Sequence, residues 1–228
     1  EIGFPWSEHM VERAIRSVGA TVDGAMSLIY SAQQQKAAVN LAGGTHHSNH
    51  HNGSGFCVFN DTVVAARVFQ QCRPNSKVLV LDLDVHQGDG TALITQGDDS
   101  IFTLSLHGRN NYPFVKQISD LDIALEDGTQ DHEYLQQLDL ALTRIEQSFQ
   151  PDIAFYLAGL DVHQNDRLGR LCLTDSGMEG RDNMVFSWLA KMRLPVVMTM
   201  AGGYFQDLDH LTELQCASIG RLLEYSKT

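Results

Sequence analysis

The sequence is short of positive charge. Among its 228 residues, 16 Lys and Arg face 28 Asp and Glu, a formal net charge of −12 with histidine counted neutral. A surface for phosphate backbones needs clustered Lys and Arg, so nucleic-acid binding is excluded and a small or cationic ligand fits better. Cysteine is sparse: Cys57, Cys72, Cys172 and Cys216 lie far apart with no C-x-x-C pair. That spacing predicts buried, reduced thiols and a cytoplasmic protein rather than a disulfide framework. Long apolar runs are missing, and none approaches the ~20 residues that span a bilayer. The opening EIGFPWSEHM has neither the basic nor the apolar region of a signal peptide. It also has no initiator Met, so a fragment or a trimmed leader is expected. Low-complexity linkers and repeats are absent too, which predicts a single domain over residues 1–228 with one substantial core.

What is present is an alternation of strand-like and helix-like segments. Ser7 stands as an N-cap before a helix with Met10, Val11, Ala14, Ile15 and Val18 on one face. The short apolar run AAVNLAG leads into a histidine-rich loop, GGTHHSNHHNGSGF at 43–56, and NDTVVAARVFQQC then reads as a helix capped by Asn60 or Asp61. KVLVLDLD, SIFTLSLHG, PDIAFYLAGLD and PVVMTMAGGY read as strands covered on both faces, the last two started by Pro151 and Pro195. DHEYLQQLDLALTRIEQSF predicts a helix with Leu138, Leu142, Ile145 and Phe149 along one stripe. TDSGMEGRDNMVFSWLAKM and LDHLTELQCASIGRLLEY supply two more. This alternation predicts an α/β fold of three layers, an open, mostly parallel sheet with helices on both faces.

Each of these strands ends, at its carboxyl side, in polar residues: DLDVHQGDG, SLHG, AGLDVHQND and AGGY. In open α/β sheets the ligand crevice lies outside such ends, so four strand ends and the histidine loop are expected to converge. Alternation along a strand puts Asp82, Asp84 and His86 on one face. Asp84 and His86, completed by Asp161, give three protein ligands and an open position, the arrangement of a catalytic zinc. Two carboxylates and a histidine cancel the ion's formal charge, which weakens it as a Lewis acid and calls for a base. His46 and His47 offer a base and a second imidazole, each needing a carboxylate to fix its tautomer, and Asp82 and Asp89 are the candidates. His50 and His51 read as exposed. In MAGGYF two glycines let the backbone approach a ligand, and Tyr204 is placed to hydrogen-bond an oxyanion. The plainer readings are an adventitious metal-binding tract and a Gly-Gly turn before a packing aromatic.

Taken in order, GGTHHSNHHNGSGFCVFND, VLDLDVHQGDGT, SLHG, LAGLDVHQNDRLGRLCLT and AGGYF resemble the zinc-dependent histone deacetylase superfamily, from about residue 3 to residue 210. NYPF, DHEYL and NDRLGRL bring the likeness nearest to class IV enzymes and their bacterial relatives. The resemblance implies the arginase/deacetylase fold, with Asp84, His86 and Asp161 as zinc ligands. It implies His47 as general base and acid with Asp89 as its partner, and His46 as the second imidazole with Asp82. Tyr204 is then the group that polarises the scissile carbonyl. Gly55, Phe56, Tyr112 and Gly203 fall at substrate-tunnel positions, and Asp82 and Ser105 where a K⁺ ion binds largely through backbone oxygens. Family domains usually carry a further N-terminal segment with the first strand and a rim loop, which this sequence is expected to lack. The glycine run before the tyrosine is reduced to Ala201-Gly202-Gly203, and Ser48 replaces a frequent alanine.

The expected activity is zinc-dependent removal of an acetyl or longer acyl group from the ε-amine of lysine or a related primary amine. Acylated lysine peptides or acylated amines are the expected partners, with no nucleic acid and no membrane. Alternatives are an acetylpolyamine or small-amide amidohydrolase, an arginase-like ureohydrolase with two metals, and a non-enzymatic acyl-lysine binding protein.

Overall fold

Two strands that are buried at every position set the centre of the molecule: β2 (Val78–Asp82), apolar up to Asp82, and β5 (Ile153–Leu157). The computed structural model, which describes residues 2–30 and 35–227, pairs them in parallel, Val78 opposite Ile153 and Asp82 opposite Leu157. With β1 (Ala37–Asn40), β3 (Ile101–Gly108), β4 (Leu121–Leu125) and β6 (Val196–Thr199) they form one sheet in the order β1-β6-β5-β2-β3-β4. Every pairing in it is parallel.

Helices cover both faces. On one, α1 (Glu8–Tyr30) and α2 (Asp61–Cys72) close a smaller core in which Ala25, Ala65, Ala66 and Phe69 meet Val78, Val80, Phe155 and Val197. On the other, α4 (Asp131–Ser148), α5 (Asp175–Met192) and α6 (Leu208–Tyr225) bury Leu138, Ile145, Val185, Leu189 and Leu222 against Leu79, Leu81 and Tyr156. The predicted stripe on α4 is buried throughout, from Leu138 to Phe149, each aliphatic side chain worth roughly 1.5–3 kcal/mol over exposure. The three-layer expectation therefore stands. Among the described residues no helix is long and apolar enough to cross a membrane.

The first helix differs from its reading. Ser7 does receive the Met10 N–H at 3.1 Å, but Ile15 is 57% exposed and the buried residues are Ala14, Ser17, Thr21 and Ala25. Small and hydroxyl side chains face inward because polar contacts set the rotation of the helix. Thr21 donates to Asp61 (2.6 Å), Ser17 to the Ala42 carbonyl (2.6 Å), and Asn40 to the Ser17 carbonyl (2.8 Å). Two elements escape pattern reading: α3 (Asp89–Thr95), seven residues behind an uncapped Gly88, and the edge strand β4, buried only at Leu121 and Leu125. All four cysteines are free, as expected, yet only Cys57 is buried; Cys172 is half-buried, and Cys72 at the end of α2 and Cys216 on the outer side of α6 are exposed.

Candidate active site

The histidine-rich loop is held before it reaches the strand ends. Asp61 accepts the N–H groups of Gly44 (3.0 Å) and Thr45 (2.7 Å) as well as the Thr45 hydroxyl (2.8 Å). Its neighbour Asn60 is the cap of α2, accepting from the Val63 N–H, while its amide donates to the Ser48 carbonyl and the Thr91 hydroxyl. Of the two expected caps, one therefore closes the helix and the other fixes the loop.

This framework buries His46 and His47, each against its own carboxylate. His46 Nδ1 lies 2.6 Å from Asp82 Oδ2 and His47 Nδ1 lies 2.6 Å from Asp89 Oδ1. The rings are 4.1 Å apart. Burial pulls the His46 imidazole down, but the Asp82 and Asp84 charges outweigh it and raise the pKa to about 9. Burial and the charged His46 beside it lower His47 to about 4. At neutral pH the pair is one cation and one free base. His50 and His51 are exposed, as expected.

Asp84 and His86 lie past the end of β2, which stops at Asp82. Strand alternation is therefore not what joins them; backbone N–H groups are. Asp84 accepts from His86 N (2.8 Å) and Gly202 N (2.7 Å), and Asp161 accepts from Val85 N (2.9 Å). His86 Nδ1 then sits 3.0 Å from Asp84 Oδ1 and 3.1 Å from Asp161 Oδ2. Burial works against every charge here. Asp161 is pushed up by burial and by the Asp84 charge; Asp84, in spite of burial, is held far down by His46 and His86. Burial likewise opposes the His86 cation, yet the two carboxylates raise it to about 11. Two buried carboxylates and an imidazole nitrogen with no other partner among the described residues form a set of O and N donors that fits a divalent ion of the zinc type.

A second cluster, His163, Asp175 and His210, has similar separations: Asp175 Oδ1 is 2.9 Å from His163 Nε2 and 3.0 Å from His210 Nε2. It differs in its tautomer. His163 Nδ1 accepts the Asn165 N–H at 3.1 Å, so the neutral ring carries its proton on Nε2 and donates to Asp175. Binding an ion there would need the proton moved to Nδ1, where the Asn165 N–H already points, whereas at His86 an ion has only to displace the proton that Nδ1 shares with Asp84 and Asp161.

A cavity of about 350 Å³ opens above the first cluster. Buried His47 and His86 lie at its floor with Tyr204, and Phe56, Phe114 and Leu168, each exposed by 45% or more, form its rim. Tyr112 stands edge-on to His47 at 4.9 Å between centroids, its hydroxyl hydrogen-bonded to Ser54. Tyr204 stands edge-on to His86 at 6.3 Å. Burial and the Asp84 and Asp161 carboxylates keep its phenol protonated, well above the ordinary tyrosine value. Gly55, Phe56 and Tyr112 line the cavity as expected. Gly203 is not among its lining residues; a Cβ there would meet Leu211 of α6 and Leu160 instead of the cavity. Asp82 and Ser105 are register partners in β2 and β3, both buried.

The sequence reading missed the anchors of Tyr204. Its N–H donates to Asp166 (2.5 Å) and its carbonyl accepts from Arg167 Nε (2.8 Å). The other Asp166 oxygen accepts the N–H groups of Leu168 and Gly169, both at 2.8 Å. An Asp three residues before a Gly is a turn signal, legible in NDRLG. Asn111, Phe114, Leu168 and Arg170 also line the cavity; they lie within NYPF and NDRLGRL, motifs that carried a family likeness, but had no assigned role.

Residues 2–219 match the family model described as histone deacetylase domain. The chain is 43% identical over 210 residues to an uncharacterized protein of Picosynechococcus sp., covering 92% of this chain and 69% of that protein. It is 33% identical to Histone deacetylase 2 of Arabidopsis thaliana (84% of this chain, 49% of that one). It is 31% identical to Histone deacetylase 1 of Homo sapiens (82% and 40%). The crystal structure of the HDA15 HD domain matches with a TM-score of 0.78 at 26% identity, covering 92% of this chain and 63% of that one. The chain thus spans from 40% to 69% of the length of these relatives. The family match takes in every residue of the site, from His46 to Tyr204, and the chain belongs to the histone deacetylase domain family.

Proposed function

We propose that the protein is a zinc-dependent deacylase that hydrolyses the amide of an acylated lysine ε-amine or a related primary amine. The observation that carries this reading is the meeting of His86 Nδ1 with Asp84 and Asp161 at 3.0 and 3.1 Å, under a cavity floored also by His47 and Tyr204. A zinc ion held by Asp84, His86 and Asp161 would supply Lewis acidity toward the carbonyl and a water more acidic than bulk.

The chain's own residues do the rest. His47, neutral and oriented by Asp89, takes a proton from the attacking water as its oxygen bonds to the carbonyl carbon. The protonated Tyr204 hydroxyl donates to the oxygen that gains negative charge. When the C–N bond breaks, His47 returns the proton to the leaving amine. His46, charged and tied to Asp82, favours a neutral His47 at the start of each cycle. General acid–base help of this kind is worth ~10²–10⁴-fold. The apolar rim of Phe56, Phe114 and Leu168 suits an extended alkyl chain.

We extend the proposal to a K⁺ ion at the backbone oxygens of Asp82 and Ser105, and to a class IV type of enzyme, on the likeness of NYPF, DHEYL and NDRLGRL. A two-metal ureohydrolase would need further carboxylates at the same ion cluster, and Asp82 and Asp89 are already engaged by the two imidazoles. The test is deacylation of acetyl-lysine peptides before chelation, after it, and after zinc return. Activity should vanish and come back; turnover indifferent to chelation would rule the reading out.

A further inference from the structure

Arg181 is the largest fully buried side chain among the described residues, 0% exposed in α5. A cation in such a place is costly, and an apolar side chain of similar size would usually serve stability as well or better. Its surroundings show what it holds. Nε donates to Asp182 (2.9 Å) and Nη1 donates to the Gly159 carbonyl (2.5 Å). Asp182 is fixed in turn by the Tyr156 hydroxyl (2.6 Å) and by Ser218 of α6. The guanidinium carbon lies 5.8 Å from the Tyr156 ring centre. The fork is thus anchored to the sheet and to two helices, with one arm reaching the loop after β5.

Gly159 stands between the two carboxylates of the ion cluster. A Cβ there would lie 2.7 Å from Asp84 Oδ2 and 2.9 Å from Asp161 Oδ1. Its backbone thus packs against both carboxylates, two residues before Asp161 in the chain. We propose that Arg181 is a positioning residue for the metal site: its guanidinium braces the Gly159 carbonyl, fixes the spacing of Asp84 and Asp161, and places a buried positive charge behind two buried negative ones. The inference rests on the metal-site reading above and adds to it a residue outside the cavity.

Truncation of Arg181 alone would leave Asp182 buried and unpaired, so the informative variant removes both charges together. The double variant Arg181→Met, Asp182→Asn removes both charges while an amide still meets the Tyr156 and Ser218 hydroxyls, and it should fold with a melting temperature near that of the parent. Its affinity for Zn²⁺, measured by competition with a chromophoric chelator, should fall ~10–100-fold, the range seen when groups behind metal ligands are lost. On acetyl-lysine peptide kcat should fall more than KM rises. Arg181→Lys, which keeps the charge without the fork, should recover part of the affinity. A folded double variant that binds Zn²⁺ as tightly as the parent would overturn the inference and leave the metal reading intact. A parent protein that does not bind Zn²⁺ would instead remove the reading on which it rests.

Discussion

His46 and His47 are neighbours in sequence and lie 4.1 Å apart in space, yet they hold opposite charge states. Burial lowers both; at His46 the Asp82 and Asp84 charges outweigh it, while at His47 burial and the His46 cation together outweigh Asp89 and Asp84. Removing that cation with His46→Ala should let the His47 pKa rise from about 4 toward its ordinary 6.5. The protonated, inactive form of the base then persists to higher pH, so the acid limb of kcat/KM should move upward; an unmoved limb would separate His47 from the base. Tyr204→Phe should lower kcat by ~10²–10³-fold, the scale of losing one oxyanion donor. Binding of a non-hydrolysable acyl-lysine analogue should change little by calorimetry. At this scale the sequence was largely legible. Asp84, His86 and Asp161 stand at apolar strand ends where a carboxylate without a role is costly, and the tandem imidazoles needed partners that Asp82 and Asp89 supply. Asp166 and Arg167 were not assigned because they act on Tyr204 through its backbone, across 38 and 37 residues of sequence.

The elements place these side chains by their ends. After β6 the chain passes so close to the ion cluster that a Cβ on Gly202 would lie 1.9 Å from Asp161 Oδ2 and 2.8 Å from Asp84 Oδ2. Gly202→Ala should therefore abolish Zn²⁺ binding in a chelator-competition assay and lower the melting temperature, because the clash falls on both carboxylates at once. Asn60→Ala removes the cap of α2 and the bonds to Ser48 and Thr91. It should cost roughly 1–2 kcal/mol, read as a lower denaturation midpoint at unchanged m-value. The four central strands and four of the long helices were legible because apolar runs and helical stripes follow burial. The inward face of α1 was not, since Ser17 and Thr21 face inward through hydrogen bonds that no hydrophobic period encodes. The same holds for α3 and β4, one too short and one too little buried to leave a pattern.

Across the whole molecule, a parallel sheet brings residues from 46 to 204 to one edge, and their acids and imidazoles set how folding and ion binding depend on pH. His86 and Asp161 are both raised in the metal-free protein. The folded state therefore keeps protons that the unfolded chain gives up as pH rises, and metal-free stability should decline through that range. An ion must displace the same protons, so its affinity should increase with pH. The gap in melting temperature between zinc-loaded and metal-free protein should thus widen from pH 6 to pH 8; a constant gap would contradict the assignment of these ligands. The class of fold was legible from the alternation of strands and helices alone. The cavity rim was not, because Phe114, Leu168 and Arg170 meet only after the sheet has assembled. The most direct test of the account is anomalous X-ray diffraction from crystals equilibrated with Zn²⁺. It predicts one strong peak about 2.0–2.2 Å from His86 Nδ1 and from Asp84 and Asp161 oxygens. A peak at His163, Asp175 and His210 with none at Asp84 would contradict it.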